Sequence, residues 1–158
     1  MKLKIWIIYD TIFGNCKLIA EKLGDLLEEF ADVYVGKASK LHPSLILEEK
    51  PDIIVFGAPI HLRSLNSKIK RWIRKFNKLS KKVEFNSVKV FGFSTTSSDI
   101  NIQGKWQGFL TKYYSNDQIF PIMLKVKIPD HGKLIEVYRN RDIIQFSASI
   151  IKYIQNEY

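Results

Sequence analysis

The chain has 158 residues, 46% of them hydrophobic and 26% charged, which predicts one globular domain over residues 1–158 with enough apolar surface to build its own core. The single Cys16 excludes an internal disulfide and a multi-cysteine metal cluster, and His42, His61 and His131 are too scattered for a helical zinc pair. The formal net charge of +9 comes from one segment: nine basic residues and no acid lie between His61 and Val83, leaving sixteen of the 25 to balance the 16 acidic residues.

Lys2 and Lys4 precede the apolar run Ile5 to Tyr9, which is too short for a secretory signal and is closed by Asp10. No stretch approaches the ~18 apolar residues of a membrane span, so the expected compartment is the cytoplasm, with contact to a membrane at most peripheral. The run Leu3 to Tyr9 suits a strand buried on both faces. Ile19, Leu23, Leu26, Leu27 and Phe30 then recur at helical spacing, with Glu21, Lys22, Glu28 and Glu29 opposite. Asp32 to Gly36 reads as a second strand, and Pro43 opens a short helix through Glu49. Asp52 to Gly57 is a third and very apolar strand. Ile69, Trp72, Ile73, Phe76 and Leu79 mark one face of a helix whose other face carries the cations. A fourth strand is expected at Ser87 to Ser94, a helix around Trp106, Phe109, Leu110 and Tyr113, a fifth strand near Gln118 to Lys125, and a last helix marked by Ile143, Ile144, Phe146, Ile150, Ile151 and Ile154.

Five strands alternating with five helices predict an α/β sandwich, a parallel sheet covered on both faces. Lys125 to Tyr138 shows apolar alternation around a Pro-Asp-His-Gly turn and reads as an added hairpin or an irregular extension of the fifth strand.

In an open parallel sheet, ligands bind beyond the carboxyl ends of the strands, where the strand order reverses. The loops there are Asp10 to Cys16, Ala58 to Ser64 and Thr95 to Asp99. The first ends at a helix N-terminus, where outward amides and the dipole favour an anion. Thr11 offers a hydroxyl, Gly14 allows close backbone approach, and Asn15 can donate or cap the helix. The loop has no lysine or arginine and lacks the glycine spacing of a P-loop, so it is either an amide-and-hydroxyl phosphate cradle or only a turn with a cap.

YDTIFGNCKLIAEKL resembles the phosphate loop and first helix of flavodoxins, and FGAPIHLRS is similar to the loop that carries one side of the flavin in that superfamily. The resemblance extends over the chain. It implies a flavodoxin-like three-layer sandwich with a five-stranded parallel sheet of order 2-1-3-4-5. The implied cofactor is FMN, its phosphate held by Thr11, Ile12, Phe13, Gly14, Asn15 and Cys16. Ala58, Pro59, Ile60, His61 and Leu62 would flank the isoalloxazine, and Thr95, Thr96 and Ser97 would bond its pyrimidine edge. Phe13 and Cys16 stand where the family has threonines, so two hydroxyl donors are missing. The resemblance assigns no side chain as a catalytic acid or base; His61 is the one titratable group beside the ring position.

The basic helix follows the second loop. Electron-carrier flavodoxins are usually acidic, so Arg63, Lys68, Lys70, Arg71, Arg74 and Lys75 imply an acidic redox partner, an anionic membrane surface or an anionic substrate. GAPIHLRSLNSKIKRWI and FGFSTTSSDINIQGKWQGFLTKYY are similar to the menaquinone-dependent protoporphyrinogen oxidase branch, which implies quinone-linked oxidation as the alternative to plain electron transfer. A flavodoxin-fold binding module that has lost FMN is the third reading. Nucleic acid is disfavoured because Trp72 and Phe76 fall on the apolar face, away from any base.

Overall fold

The computed structural model describes residues 2–128, 136 and 140–158. The strands in chain order are β1 (Lys4–Tyr9), β2 (Asp32–Lys37), β3 (Ile53–Gly57), the two-residue pair β4 (Ile60–His61) and β5 (Ser64–Leu65), β6 (Lys89–Thr96) and β7 (Leu124–Lys127). Five of them form one parallel sheet in the spatial order β2-β1-β3-β6-β7, which counted within the sheet is the expected 2-1-3-4-5. The helices are α1 (Asn15–Leu27), α2 (Pro43–Glu49), α3 (Ser67–Lys82), α4 (Ile102–Leu110) and α5 (Arg141–Glu157).

Side-chain alternation along the strands divides the core in two. Ile5 and Ile7 of β1, Ile53 and Val55 of β3, and Phe91 and Phe93 of β6 pack under α1 and α5. Ile8, Ile54, Phe56 and Val90 face the other way, against Ile46 of α2, Ile69, Trp72, Ile73 and Phe76 of α3, and Trp106 and Leu110 of α4. Burial on both faces is why the inner strands read as unbroken apolar runs. Where β3 meets β6 the side chains need room. A Cβ on Gly57 would lie 2.0 Å from Cζ of Phe93, so the bare backbone there makes space for the ring.

β6 begins and ends two residues later than Ser87 to Ser94, α4 stops at Leu110 short of Tyr113, and three further elements depart from the sequence-based expectation. α1 stops at Leu27, and Phe30 donates its amide to Leu27 O (2.9 Å) in the following turn, so its ring is 38% exposed instead of continuing the buried stripe. The fifth strand of the sheet comes later than Gln118 to Lys125. Ile119 makes only an isolated bridge to Val90, Pro121 has no amide to give the ladder, and pairing resumes at Leu124. Gln103 spans the break, donating Nε2 to Pro121 O (2.6 Å) and accepting the Met123 amide at Oε1 (2.8 Å). The third departure is the β4–β5 hairpin inside the second loop. Of the segment Lys125 to Tyr138, the start belongs to β7, and the expected turn lies outside the described residues.

Candidate functional site at the carboxyl end of the sheet

The register brings three loops together. Tyr9 pairs with Gly57 and Gly57 with Phe93, and the ladder runs one step further through Asp10 N–H to Gly57 O (2.9 Å) and Ala58 N–H to Phe93 O (3.1 Å). The chain therefore leaves β1 and β3 at one level, while β6 runs three residues further, to Thr96, before its loop begins.

The first loop is closed on itself. Thr11 Oγ1 accepts the Gly14 amide at 2.9 Å, which leaves the hydroxyl hydrogen to donate elsewhere. Gly14 sits at φ 93° and caps α1 without a side-chain bond; its carbonyl receives the Leu18 amide at 3.2 Å. Only glycine holds that backbone angle without a Cβ penalty of roughly 1–2 kcal/mol. The amides of the first turn of α1 have no carbonyl within the helix to receive them, and they open at this loop. Asn15 and Cys16 are buried, whereas Ile12 (47%) and Phe13 (43%) project outward.

The second loop begins with Ala58 and Pro59, both buried, and then turns back as the hairpin, Ile60 opposite Leu65 and His61 opposite Ser64. Leu62 (φ 50°) and Arg63 (φ 63°) form its tip, both in left-handed backbone. That is the sign pattern of a type I′ turn, which normally selects asparagine and glycine. Leu62 is 87% exposed and His61 is exposed beside it. Lys70 Nζ donates to Ser64 Oγ at 3.2 Å, tying α3 to the hairpin.

Thr95 and Thr96 are the last two residues of β6, two positions beyond the expected end of that strand, and both are buried. Thr96 Oγ1 donates to Ser98 O (3.1 Å) and accepts the Ser98 amide (3.2 Å), while Thr95 Oγ1 lies 3.6 Å from Cys16 Sγ. Ser97 is the exposed hydroxyl of the three. The Cys16 side chain thus turns under the loop and links α1 to β6. Burial pushes the thiol up to about 12, with hydrogen bonds to Thr95 opposing and the Asp10 charge adding, so it stays protonated and unreactive at neutral pH. At the rim, Asp99 bonds Lys127 Nζ (3.2 Å), with Lys125 also near, and these cations hold its carboxyl below the ordinary value.

The cations of α3 do not form one uniform face. Arg74 Nε donates to Tyr113 OH (2.9 Å) and its guanidinium lies 5.5 Å from the Phe109 ring centre, so it is committed to α4. Lys70 reaches the hairpin, and Lys68, Arg71 and Lys75 turn to the opposite flank, beside the connection from β2 to α2. Linear sequence could not show this partition, because it depends on what packs against each side of the helix.

The sequence matches no family model and no curated protein. Solved structures do match. The rubredoxin oxygen:oxidoreductase of Desulfovibrio gigas superposes with a TM-score of 0.73 at 17% identity over 97% of this chain, which spans only 36% of that one. Oxidised flavodoxin 1 of Bacillus cereus gives 0.69 at 18% identity, covering 95% of this chain and 98% of its own. A flavodoxin from the domain Archaea gives 0.69 at 14%, with 97% and 99% covered. The fold is flavodoxin-like. Within that flavodoxin-like fold the first two loops flank the switch point between β1 and β3, where the chain turns from building the sheet outward to β2 to building it the other way, and the third loop lies one strand beyond.

Proposed function

We propose that the protein binds FMN across the three loops and transfers electrons to or from an anionic partner. The observation that carries the reading is the first loop: a left-handed Gly14 presents the start of α1, and Thr11 closes the turn while keeping a hydrogen to donate. This donor set suits a phosphate monoester without a cation, since amide bonds to a charged acceptor contribute roughly 1.5–3 kcal/mol each. The substitutions at Phe13 and Cys16 remove hydroxyls and leave the main-chain donors.

In this reading Thr11 to Cys16 hold the phosphate. Ala58 to Leu62 flank the ring system, the hairpin fixing the backbone that faces it. Thr95 to Ser97 line the far edge through main-chain groups and the Ser97 hydroxyl. FMN supplies the redox chemistry; the chain orients it, limits water and tunes its potential through hydrogen bonds and burial. Arg63 and Lys70 at the second loop, with Lys68, Arg71 and Lys75 on the other flank of α3, favour encounter with anions. Quinone-linked oxidation of an anionic substrate such as protoporphyrinogen is the enzymatic form of the same reading and rests on the motif resemblance.

Titration of the protein into FMN, followed by quenching of flavin fluorescence, is the direct test. Saturable quenching at one FMN per chain is expected; no quenching would leave a flavodoxin-fold binding module. With FMN bound and reduced, oxidation by ferricyanide, an anionic acceptor, should slow as salt rises. Glutamate at positions 68, 70 and 71 should flatten that dependence, and an unchanged dependence would remove the basic helix from the partner surface. Turnover of protoporphyrinogen with a quinone separates the enzyme from the carrier.

A further inference from the structure

The connection from β2 to α2 and the near flank of α3 border an open cleft of about 530 Å³, within the range of small-molecule sites. Its floor is apolar: Ala38, Leu41, Pro43 and Trp72. Its walls are pinned together, because Trp72 Nε1 donates to Leu41 O at 2.8 Å. Lys68, Arg71 and Lys75 line one side over about 10 Å of helix, and Lys40 stands with the opposite wall. His42 also lines it. Its Nδ1 accepts the Ser44 amide (3.1 Å), which leaves Nε2 as the ring's donor. No acid lines the cleft, and among the described residues none of the ion pairs involves Lys40 or any residue of α3. Like charges at i,i+3 and i,i+4, as at 68/71 and 71/75, destabilise a helix by a few tenths of a kcal/mol per pair. Among the described residues no ion pair offsets this cost.

We infer that this cleft binds a small amphipathic anion, one with a ring-sized apolar body and at least two negative charges as phosphate or carboxylate. The apolar floor receives the body. The Arg71 fork and the three lysines take the charges from both walls. None of the three loops at the end of the sheet lines the cleft, so the site stands whether or not FMN binds. An extended acidic peptide is the competing occupant, and its charges alone would leave the apolar lining of Ala38, Leu41, Pro43 and Trp72 unused.

The probe is 1-naphthyl phosphate, titrated into 15N-labelled protein without FMN and followed by amide shifts. Saturable shifts confined to residues 38–43 and 68–75 are expected. Neutral 1-naphthol and inorganic pyrophosphate, each lacking half of the chemistry, should bind at least about tenfold more weakly. R71E/K75E should weaken the probe by about tenfold or more. K78E/K81E, the same charge change further along α3, should alter it by less than about twofold. Amide spectra away from the cleft report that each variant keeps its fold. Shifts scattered over the surface, or equal loss in the two double variants, would reduce the site to net charge and overturn the inference. Pyrophosphate binding as tightly as naphthyl phosphate would remove the floor from it, and hexaglutamate binding more tightly than the probe would make the cleft a peptide strip; either result also overturns it.

Discussion

The first and second loops leave adjacent strands at the same level, yet they reach left-handed backbone in opposite ways. The first uses Gly14 at φ 93°, with Thr11 holding its amide and a helix following at once. The second uses Leu62 and Arg63 at φ 50° and 63°, with only a four-residue ladder beneath them. One loop reaches its positive φ without strain, through glycine. The other carries roughly 1–2 kcal/mol of strain per residue to keep two side chains at its tip. The contrast separates a loop that exposes its backbone at no conformational cost from one that holds two side chains outward at a cost.

The sharpest way to break that contrast is Gly14→Val. Added bulk at a positive φ should lower FMN affinity by more than about a hundredfold while the far-UV circular dichroism stays near wild type; retained affinity would show that phosphate does not sit there. Phe13→Thr restores one family hydroxyl on the same loop and should tighten FMN by about tenfold, read by flavin quenching. On the second loop, replacing Leu62-Arg63 with Asn-Gly relieves both strained angles and should raise stability by about 1 kcal/mol in urea unfolding. No gain would mean that the tip is not under strain.

Smaller effects come from the groups around the loops. The native state keeps the Cys16 proton up to about pH 12, whereas an unfolded thiol releases it near 9.0. The associated stability is full below that lower value and is lost as pH climbs between the two. Cys16→Ala should therefore flatten the alkaline decline of the urea midpoint, with buried tyrosines such as Tyr114 accounting for what remains. The smallest effect belongs to Asp99→Asn. Cations hold this carboxylate below 3.8, so its contribution is present above that value and disappears on acidification. Its full exposure to salt and water should keep the melting temperature at neutral pH within error of wild type.

Much of the architecture was legible because burial on two faces writes continuous isoleucine-rich strands, while one-sided helices write period 3.6. α2 begins at Pro43 and ends at Glu49 for reasons visible in the chain: proline suits a first turn, and no apolar periodicity continues past it. The hairpin at Ile60 to Leu65 left no signal, since Leu62-Arg63 is the opposite of the residues such a turn selects. The displaced last strand depended on Gln103, fifteen or more residues away in sequence, bracing Pro121 and Met123. Trp106 was readable as core and is wholly buried. For the site, the loops could be named from strand ends alone. The inward turn of Cys16, the spent hydroxyl of Thr96 and the division of the α3 cations could not, because each is decided by a neighbour from a distant part of the chain.

The three tryptophans of the chain each donate the indole hydrogen to a different junction: Trp6 to Glu49 Oε2 (2.7 Å), Trp72 to Leu41 O (2.8 Å) and Trp106 to Ser94 Oγ (2.9 Å). They fasten β1 to α2, α3 to the wall of the cationic cleft, and α4 to β6. Intrinsic emission thus contains three separable gauges of how these seams part. Variants retaining one indole at a time would turn a single denaturant titration into a map of which seam opens first.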